Sequence, residues 1–135
     1  MNEKELCKKA IEAMQNSYSP YSECKVGAAL LTESGKVFCG CNIENAAYSP
    51  SVCAERVAMF SAVSSGERHF SALAVAGGKG GSITTGFPPC GVCRQVMAEF
   101  CDADFPVLVV TGSDSYKKYT LAQLLPEAFT SQNVE

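Results

Sequence analysis

The chain has 135 residues, of which 47% are hydrophobic and 19% charged, so it has the composition of a folded domain, and residues 1–135 are expected to form one domain. The formal net charge of −3 disfavours a scaffold for nucleic acid. A membrane protein is also disfavoured, because no apolar run approaches the roughly 18 residues of a spanning helix.

The first half of the chain predicts a helix, a β-hairpin and a second helix. Apolar residues recur at helical spacing within residues 3–16, which predicts an amphipathic helix. Apolar runs at 25–31 and 37–41 flank a Ser-Gly turn and predict paired strands. A second helix is predicted at 52–63, with Gly66 ending it.

The second half predicts strands that alternate with helices, which indicates an α/β fold with helices covering a mixed sheet. The predicted elements are a buried strand at 73–76, a glycine-rich surface loop at 77–86, a helix at 92–100, strands at 106–111 and 116–120, and a short helix at 121–125.

Eight cysteines follow an N-terminus that lacks the apolar core of a secretory signal. This combination predicts free thiols and metal ligands in a reducing, cytoplasmic setting. Cys7, Cys39 and Cys101 are interpreted as small buried apolar side chains. His69, the only histidine, follows a predicted helix stop and is interpreted as a solvated turn residue.

Two cysteine-bearing segments, each at the start of a predicted helix, are candidates for a metal site. One is Cys-Ala-Glu, beginning at Cys53, and the other is Pro-Cys-Gly-Val-Cys, containing Cys90 and Cys93. Cys90 and Cys93 are about one turn apart and face the same side, and a helix N-terminus lowers thiol pKa values. Three thiolates leave one tetrahedral position open, which is typical of a catalytic zinc site.

Glu55 is the predicted catalytic acid and base. It lies two residues after Cys53, where its carboxylate can reach a water in the open position without binding the metal. Three thiolates and Zn²⁺ carry a net charge of −1, and Arg56 is predicted to offset it by donating to the sulfur atoms. An ion pair on the helix surface is the alternative interpretation of Arg56.

Together the two segments match the pattern (His or Cys)-x-Glu, then Pro-Cys-x-x-Cys, of zinc-dependent deaminases. The match extends over residues 18–22, 26–30, 40–48, 53–56, 89–96 and 124–126. Over nearly its whole length the chain resembles the small homotetrameric cytidine deaminases. The resemblance implies a three-layer α-β-α sandwich with a mixed five-stranded sheet. It also implies one Zn²⁺ per subunit, deamination of cytidine and deoxycytidine, and a homotetramer whose sites are shared between subunits.

The resemblance further implies which residues hold the nucleoside. Asn42 and Glu44 would bind the ribose hydroxyls, and two positions that are two residues apart at a strand end do share a face. Tyr48 would form a wall of the pocket. Ala54 would offer backbone groups to the pyrimidine carbonyl, and the backbone carbonyl of Pro88 would meet the departing amine.

Two other positions qualify this picture. Phe129 resembles an aromatic residue that the family inserts into a neighbouring subunit's site, and a plug in the chain's own core is the alternative. Cys24 occupies a position where the family usually has an aromatic ring packed against the base. That departure bears on substrate preference rather than on the chemistry.

Two alternative functions are also compatible with the sequence. A closed structural zinc site would take Cys39 or Cys41 as a fourth ligand and would need no Glu55. A deaminase of the same fold could act on blasticidin-type nucleosides, guanine or an RNA base. An RNA substrate predicts a basic, aromatic-rich surface, whereas this chain is acidic and has no tryptophan.

Overall fold

The computed structural model describes residues 1–83 and 85–135. Its helices and strands are α1 (Glu3–Ala13, continued by a 3₁₀ turn at Met14–Asn16), β1 (Cys24–Thr32), β2 (Val37–Cys41), α2 (Ala54–Ser64), β3 (Phe70–Lys79), α3 (Gly91–Phe100), β4 (Pro106–Gly112), β5 (Ser115–Thr120), α4 (Leu121–Leu124) and a final 3₁₀ turn (Ser131–Asn133). The predicted order of elements is confirmed.

The five strands form one mixed sheet in the order β2-β1-β3-β4-β5. β1 is antiparallel to both β2 and β3, and β4 is antiparallel to β5. β3 and β4 are parallel, with α3 in the connection between them. The mixed five-stranded sheet implied by the resemblance is therefore present.

Helices cover both faces of this sheet, which gives the predicted three layers. α1 packs on one face through Leu6 and Ala10, while α2 and α3 pack on the other through residues that include Met59 and Met97. Along β1, Val26, Ala28 and Leu30 face α2 and α3, and Ala29 faces α1. A strand that is buried on both faces becomes continuously apolar, as β1 is over residues 26–31.

Two glycines allow the helices to lie directly on the sheet. A Cβ atom on Gly27 would lie 2.1 Å from the Ala10 carbonyl oxygen of α1. A Cβ atom on Gly40 would lie 2.5 Å from the Ala54 carbonyl oxygen of α2. The second contact places the N-terminus of α2 against β2, and Cys53 immediately precedes that N-terminus.

The predicted loop at 77–86 is wrong for its first three residues, and its residue 84 lies outside the described part of the chain. β3 continues to Lys79, with Gly77 paired to Val26 and Lys79 paired to Cys24. The chain turns only at Gly80 and Gly81, whose φ angles are +66° and +86°. Glycine composition suggested a loop, but at position 77 glycine serves close packing within a strand.

The second helix begins two residues later than predicted, at Ala54. Val52 forms an isolated antiparallel bridge with Ile43, and Cys53 has an extended backbone as the N-cap. Within the described residues, no helix is long and apolar enough to cross a membrane.

All eight cysteines are free thiols. Cys7 is buried and Cys101 is half-buried, in agreement with their interpretation as apolar side chains. Cys39 is exposed, so that interpretation is wrong for Cys39, because β2 is an edge strand with a neighbour on one side only.

Candidate metal centre and substrate cavity

Three cysteine thiols meet where α2 and α3 begin. Cys53 and Cys90 are the N-cap residues of these helices, and Cys93 lies in the first turn of α3. The Sγ atom of Cys90 is 3.7 Å from that of Cys53 and 3.6 Å from that of Cys93. Four ligands at the Zn–S distance of about 2.3 Å in a tetrahedron would be about 3.8 Å apart. The donor atoms therefore fit Zn²⁺ in number, type and spacing.

Among the described residues, these three cysteines are the group that could hold a metal ion. Cys39 and Cys41 are not part of it. Gly40 faces α2, so the two flanking cysteines point to the opposite face of the sheet. This placement removes the support for a closed four-cysteine site.

The pKa values of Cys53 and Cys93 depend on each other. A hydrogen bond from Cys93, assisted by Arg56, lowers the pKa of Cys53 to about 5 despite its partial burial. The same hydrogen bond raises the pKa of Cys93, which keeps its proton. Binding of a cation would displace that proton, which couples metal affinity to pH.

Arg56 lies against this cluster. Its Nη2 atom is 3.4 Å from Sγ of Cys53. Its Nε atom is buried and has no hydrogen-bond partner among the described residues. The structure therefore places Arg56 where the sequence predicted, beside the negative charge of the thiolates, while its contribution to metal binding remains a prediction.

Glu55 is buried, with 5% of its surface exposed, and it lines the same cavity as Cys53 and Cys90. Burial, with a smaller contribution from the charge on Cys53, raises the pKa of Glu55 to about 7. A carboxyl group with a pKa near neutrality can both accept and release protons at physiological pH.

A cavity of about 330 Å³ opens beside the thiol cluster. This volume is within the range of small-molecule sites. Its lining residues are Ser22, Cys24, Val26, Asn42, Glu44, Ser51, Val52, Cys53, Ala54, Glu55, Arg56, Phe87, Pro88 and Cys90. The cavity therefore brings together most of the residues that the sequence predicted to contact the substrate.

Asn42 uses most of its hydrogen-bonding capacity within the chain. Its Oδ1 atom accepts from the Val26 amide at 2.9 Å and from the Ser17 hydroxyl. Its Nδ2 atom donates to the Cys24 carbonyl oxygen at 2.8 Å. An amide group has two N–H donors, so one hydrogen of Asn42 remains available to a ligand in the cavity.

Glu44 holds the turn before β1. Its Oε1 atom accepts from the Tyr21 and Ser22 amides at 3.0 and 3.1 Å, and its Oε2 atom accepts from the Ser22 hydroxyl. The bonds from Ser22, supported by the Tyr21 amide, lower the pKa of Glu44. Because a carboxylate has about four acceptor sites, about one remains for a ligand.

Two of the residues predicted to contact the substrate, Tyr48 and Phe129, do not line the cavity. Tyr48 has 73% of its surface exposed, and its ring contacts Tyr21 edge to face at 6.4 Å beside an adjacent depression. Phe129 has 61% of its surface exposed, so the alternative that it plugs the core is wrong. His69 is exposed, as its interpretation as a solvated residue requires. Within one chain, then, neither Tyr48 nor Phe129 contributes to the cavity.

Two residues near the cluster, Phe87 and Arg94, were not predicted from the sequence to belong to the site. Phe87 lines the cavity, and an aromatic residue three positions before a cysteine ligand was a signal that could have indicated it. Arg94 donates from Nε to the Pro89 carbonyl oxygen and from Nη1 to that of Leu124, both at 2.7 Å. No local pattern indicates that contact, because its two ends are 30 residues apart.

Comparison with known proteins agrees with this geometry. Residues 1–109 match the model of the cytidine and deoxycytidylate deaminase zinc-binding region. Together with the three clustered thiols, this match defines the chain as a zinc-binding deaminase domain.

Individual relatives agree as well. The cytidine deaminase of Sporosarcina psychrophila is 46% identical, over 99% of this chain and 96% of its own length. That of Halalkalibacterium halodurans is 45% identical, over 99% and 98%. The crystal structure of cytidine deaminase from Burkholderia pseudomallei superposes with a TM-score of 0.88 at 43% identity, over 96% of this chain and all of that one (100%). The chain belongs to the cytidine deaminase family, and the alternative deaminase substrates are not favoured.

Proposed function

We propose that residues 1–135 form a single catalytic domain that hydrolyses cytidine and deoxycytidine to uridine and deoxyuridine, with release of ammonia. The observation that carries this proposal is the buried carboxyl group of Glu55, which lines one cavity with two of the three clustered thiols. A metal site with three protein ligands and a neighbouring acid–base group suits hydrolysis better than a purely structural role.

Cys53, Cys90 and Cys93 would hold Zn²⁺, and Arg56 would offset the excess negative charge of the thiolates. When bound, the zinc ion supplies the Lewis acidity that makes water nucleophilic at neutral pH. Every proton movement falls to Glu55.

Glu55 would take a proton from the attacking water and deliver it to N3 of the pyrimidine ring, which makes C4 electrophilic. The oxygen of the water then bonds to C4. Glu55 transfers the second proton of that water to the exocyclic amino group, the C4–N bond breaks, and ammonia leaves. Water and cytidine are consumed, and uridine and ammonia are formed.

The other lining residues would orient the nucleoside. The free amide hydrogen of Asn42 and the remaining acceptor site of Glu44 suit a ribose hydroxyl, which both donates and accepts. The backbone of Ala54 would meet the pyrimidine carbonyl, and the carbonyl oxygen of Pro88 would accept from the departing amine. Cys24 would lie beside the base.

A homotetramer is part of the proposal. Tyr48 and Phe129 are exposed to 73% and 61%, and Phe60 and Val92, on α2 and α3, to 47% and 58%. These exposed apolar side chains are available for contacts with further copies of the chain, through which Phe129 could reach a neighbouring site. Sedimentation velocity tests this part, and a monomer at micromolar concentration would exclude it. The proposed setting is the cytoplasm, which suits a protein with free cysteines. The proposed role there is pyrimidine salvage.

The test of the reaction is cytidine turnover by the zinc-loaded protein, followed by loss of the cytosine absorbance, with Glu55→Ala alongside. The wild-type protein should release uridine and ammonia. The variant should retain its fold and its zinc but lose nearly all turnover. Substantial activity in Glu55→Ala would refute the proposed mechanism, and a zinc-loaded wild-type protein without turnover would refute the function.

A further inference from the structure

Phe87 supplies the only aromatic ring among the described residues that line the cavity. The other apolar lining side chains, such as Val26, Val52 and Cys24, are small. A pyrimidine base is flat, and a cavity that binds one gains affinity from an aromatic surface against which the base can stack. Within one chain, Phe87 is therefore the lining residue that can meet this requirement.

The ring of Phe87 rests on the sheet at a place where the sheet has no side chain. A Cβ atom on Gly77 would lie 2.8 Å from Cγ of Phe87 and 3.1 Å from Cγ2 of Val26. Gly77 and Val26 are partners in the pairing of β1 with β3. Any larger residue at position 77 would displace the ring, so Gly77 allows Phe87 to pack close to the sheet beside Val26.

The connection from this ring to the thiol cluster is short and stiff. Phe87 is followed by Pro88, which lines the cavity, and by Pro89, which is fully buried, and then by Cys90. Proline fixes φ near −65°, so two consecutive prolines limit movement of the ring relative to the sulfur of Cys90. A base that packs on Phe87 would thus be held at a constant position relative to the metal ligands.

We propose that Phe87 is the residue on which the substrate's pyrimidine base packs, and that Gly77 positions its ring for that contact. This inference rests on the proposed function and extends it by assigning base binding to the segment before α3. Phe87 also packs against the apolar core, so a purely structural role is the outcome that the test must separate.

The first measurement is uridine affinity of the zinc-loaded wild-type, Phe87→Leu and Phe38→Leu proteins by titration calorimetry. Phe38 is the matched control, because it is half-buried against the same core cluster but does not line the cavity. Loss of stacking should raise the Kd of Phe87→Leu roughly tenfold, with full zinc content, while Phe38→Leu stays within about twofold of wild type. A Phe87→Leu protein that is folded, zinc-loaded and unchanged in Kd overturns the proposal.

The second measurement uses the absence of tryptophan from the chain. In Phe87→Trp the single indole would lie against the base, so uridine should quench its fluorescence along the same binding curve that calorimetry gives. Phe38→Trp should show no quenching at saturating uridine. If Phe87→Trp binds uridine without any change in emission, the ring does not contact the base and the proposal fails, even where Phe87→Leu does not fold.

The experiments distinguish failure of the role proposed for Phe87 from failure of the proposed function. A wild-type protein that binds uridine and deaminates cytidine, combined with an unchanged Phe87→Leu, removes only the role of Phe87. A zinc-loaded wild-type protein that neither binds uridine nor turns over cytidine removes the proposed function and, with it, this inference.

Discussion

Arg94 and Pro89 are joined by a hydrogen bond of 2.7 Å from the guanidinium Nε atom to the prolyl carbonyl oxygen. The same guanidinium donates to the carbonyl oxygen of Leu124 at the end of α4. Pro89 directly precedes Cys90, so this side chain fixes the main chain that delivers one of the three thiols. A ligand held in this way is already in place before a metal arrives.

Replacing Arg94 with lysine should therefore weaken zinc binding about tenfold or more. A lysine ammonium has a single nitrogen atom and cannot reproduce the two hydrogen bonds that Nε and Nη1 of the guanidinium donate to separate carbonyls. Competition with a chromogenic chelator measures this change. Arg68→Lys is the matched control, since Arg68 also donates to two main-chain carbonyls, those of Val63 and Glu67, outside the cavity. Equal zinc affinities of the two variants would contradict the role given to Arg94.

Arg56 should act on the same equilibrium through charge. Arg56→Gln removes the cation beside Cys53, so the thiolates lose stabilisation and zinc affinity should fall about tenfold near pH 7. The loss should be larger at pH 6 than at pH 8, because protons compete better for thiolates without a neighbouring cation. Chelator competition at the two pH values measures it, and a pH-independent effect would be inconsistent with a charge mechanism.

Removal of the metal should expose one thiol to rapid alkylation. The hydrogen bond from Cys93 lowers the pKa of Cys53 to about 5, whereas burial raises the pKa values of Cys7 and Cys101 to about 11 and 12. With a chelator at pH 7, iodoacetamide should label Cys53 well before Cys7 or Cys101, because the thiolate is the nucleophile. Peptide mass spectrometry over time follows the labelling, and added Zn²⁺ should protect Cys53. Equal rates at Cys53 and Cys7 would contradict the assignment.

Burial of Glu55 should make the free energy of unfolding of the zinc-free protein depend on pH. Its pKa is about 7 in the folded chain, against an ordinary glutamate value of 4.5, so the folded state retains the proton to higher pH than the unfolded state and loses stability as pH rises between these values. Glu55→Gln does not have this cost. The difference in free energy of unfolding between the variant and the wild type should therefore grow in the variant's favour by about 2 kcal/mol from pH 5 to pH 8 in the presence of a chelator. Denaturant titrations at both pH values measure the difference, and a constant gap would show that Glu55 titrates normally.

Asn42 should contribute to stability as well as to substrate affinity. Asn42→Ala leaves the amide of Val26 and the carbonyl of Cys24 without their side-chain partner, at a cost of about 2 kcal/mol or more. Asn45→Ala is the comparison, because Asn45 is exposed and accepts only from the nearby Ala47 amide. Thermal unfolding should separate the two variants by several degrees. An Asn42→Ala protein as stable as Asn45→Ala would show that the internal bonds are dispensable.

The features that the sequence predicted depend on local patterns. Apolar spacing predicted α1, the Ser-Gly turn predicted the pairing of β1 with β2, and the two cysteine motifs predicted helix starts that the structure brings together. Such signals involve neighbouring residues, so no knowledge of the tertiary fold is needed to interpret them.

The features that were missed depend on contacts between distant segments. Gly77 looked like a loop residue because only the approach of the Phe87 ring explains it as part of a strand. The three internal bonds of Asn42 and the link from Arg94 to Leu124 likewise join residues up to 30 positions apart. The exposure of Tyr48 was not predicted either, because one chain's sequence does not indicate which apolar residues its own core leaves out, whereas exposure of Phe129 is what its insertion into a neighbouring site would require.

The separation of Cys53 from Cys90 by 37 residues has a consequence for folding kinetics. All of β3 lies between them, so we expect the three sulfur atoms to meet only after β3 has joined the sheet and both helices have docked. An unfolded chain offers only the adjacent pair Cys90 and Cys93. We therefore expect zinc to bind the native state far better than the unfolded one and, because the ion must leave before the three thiols can separate, to slow global opening. Release of the ion would then be the step that limits how long the folded protein persists.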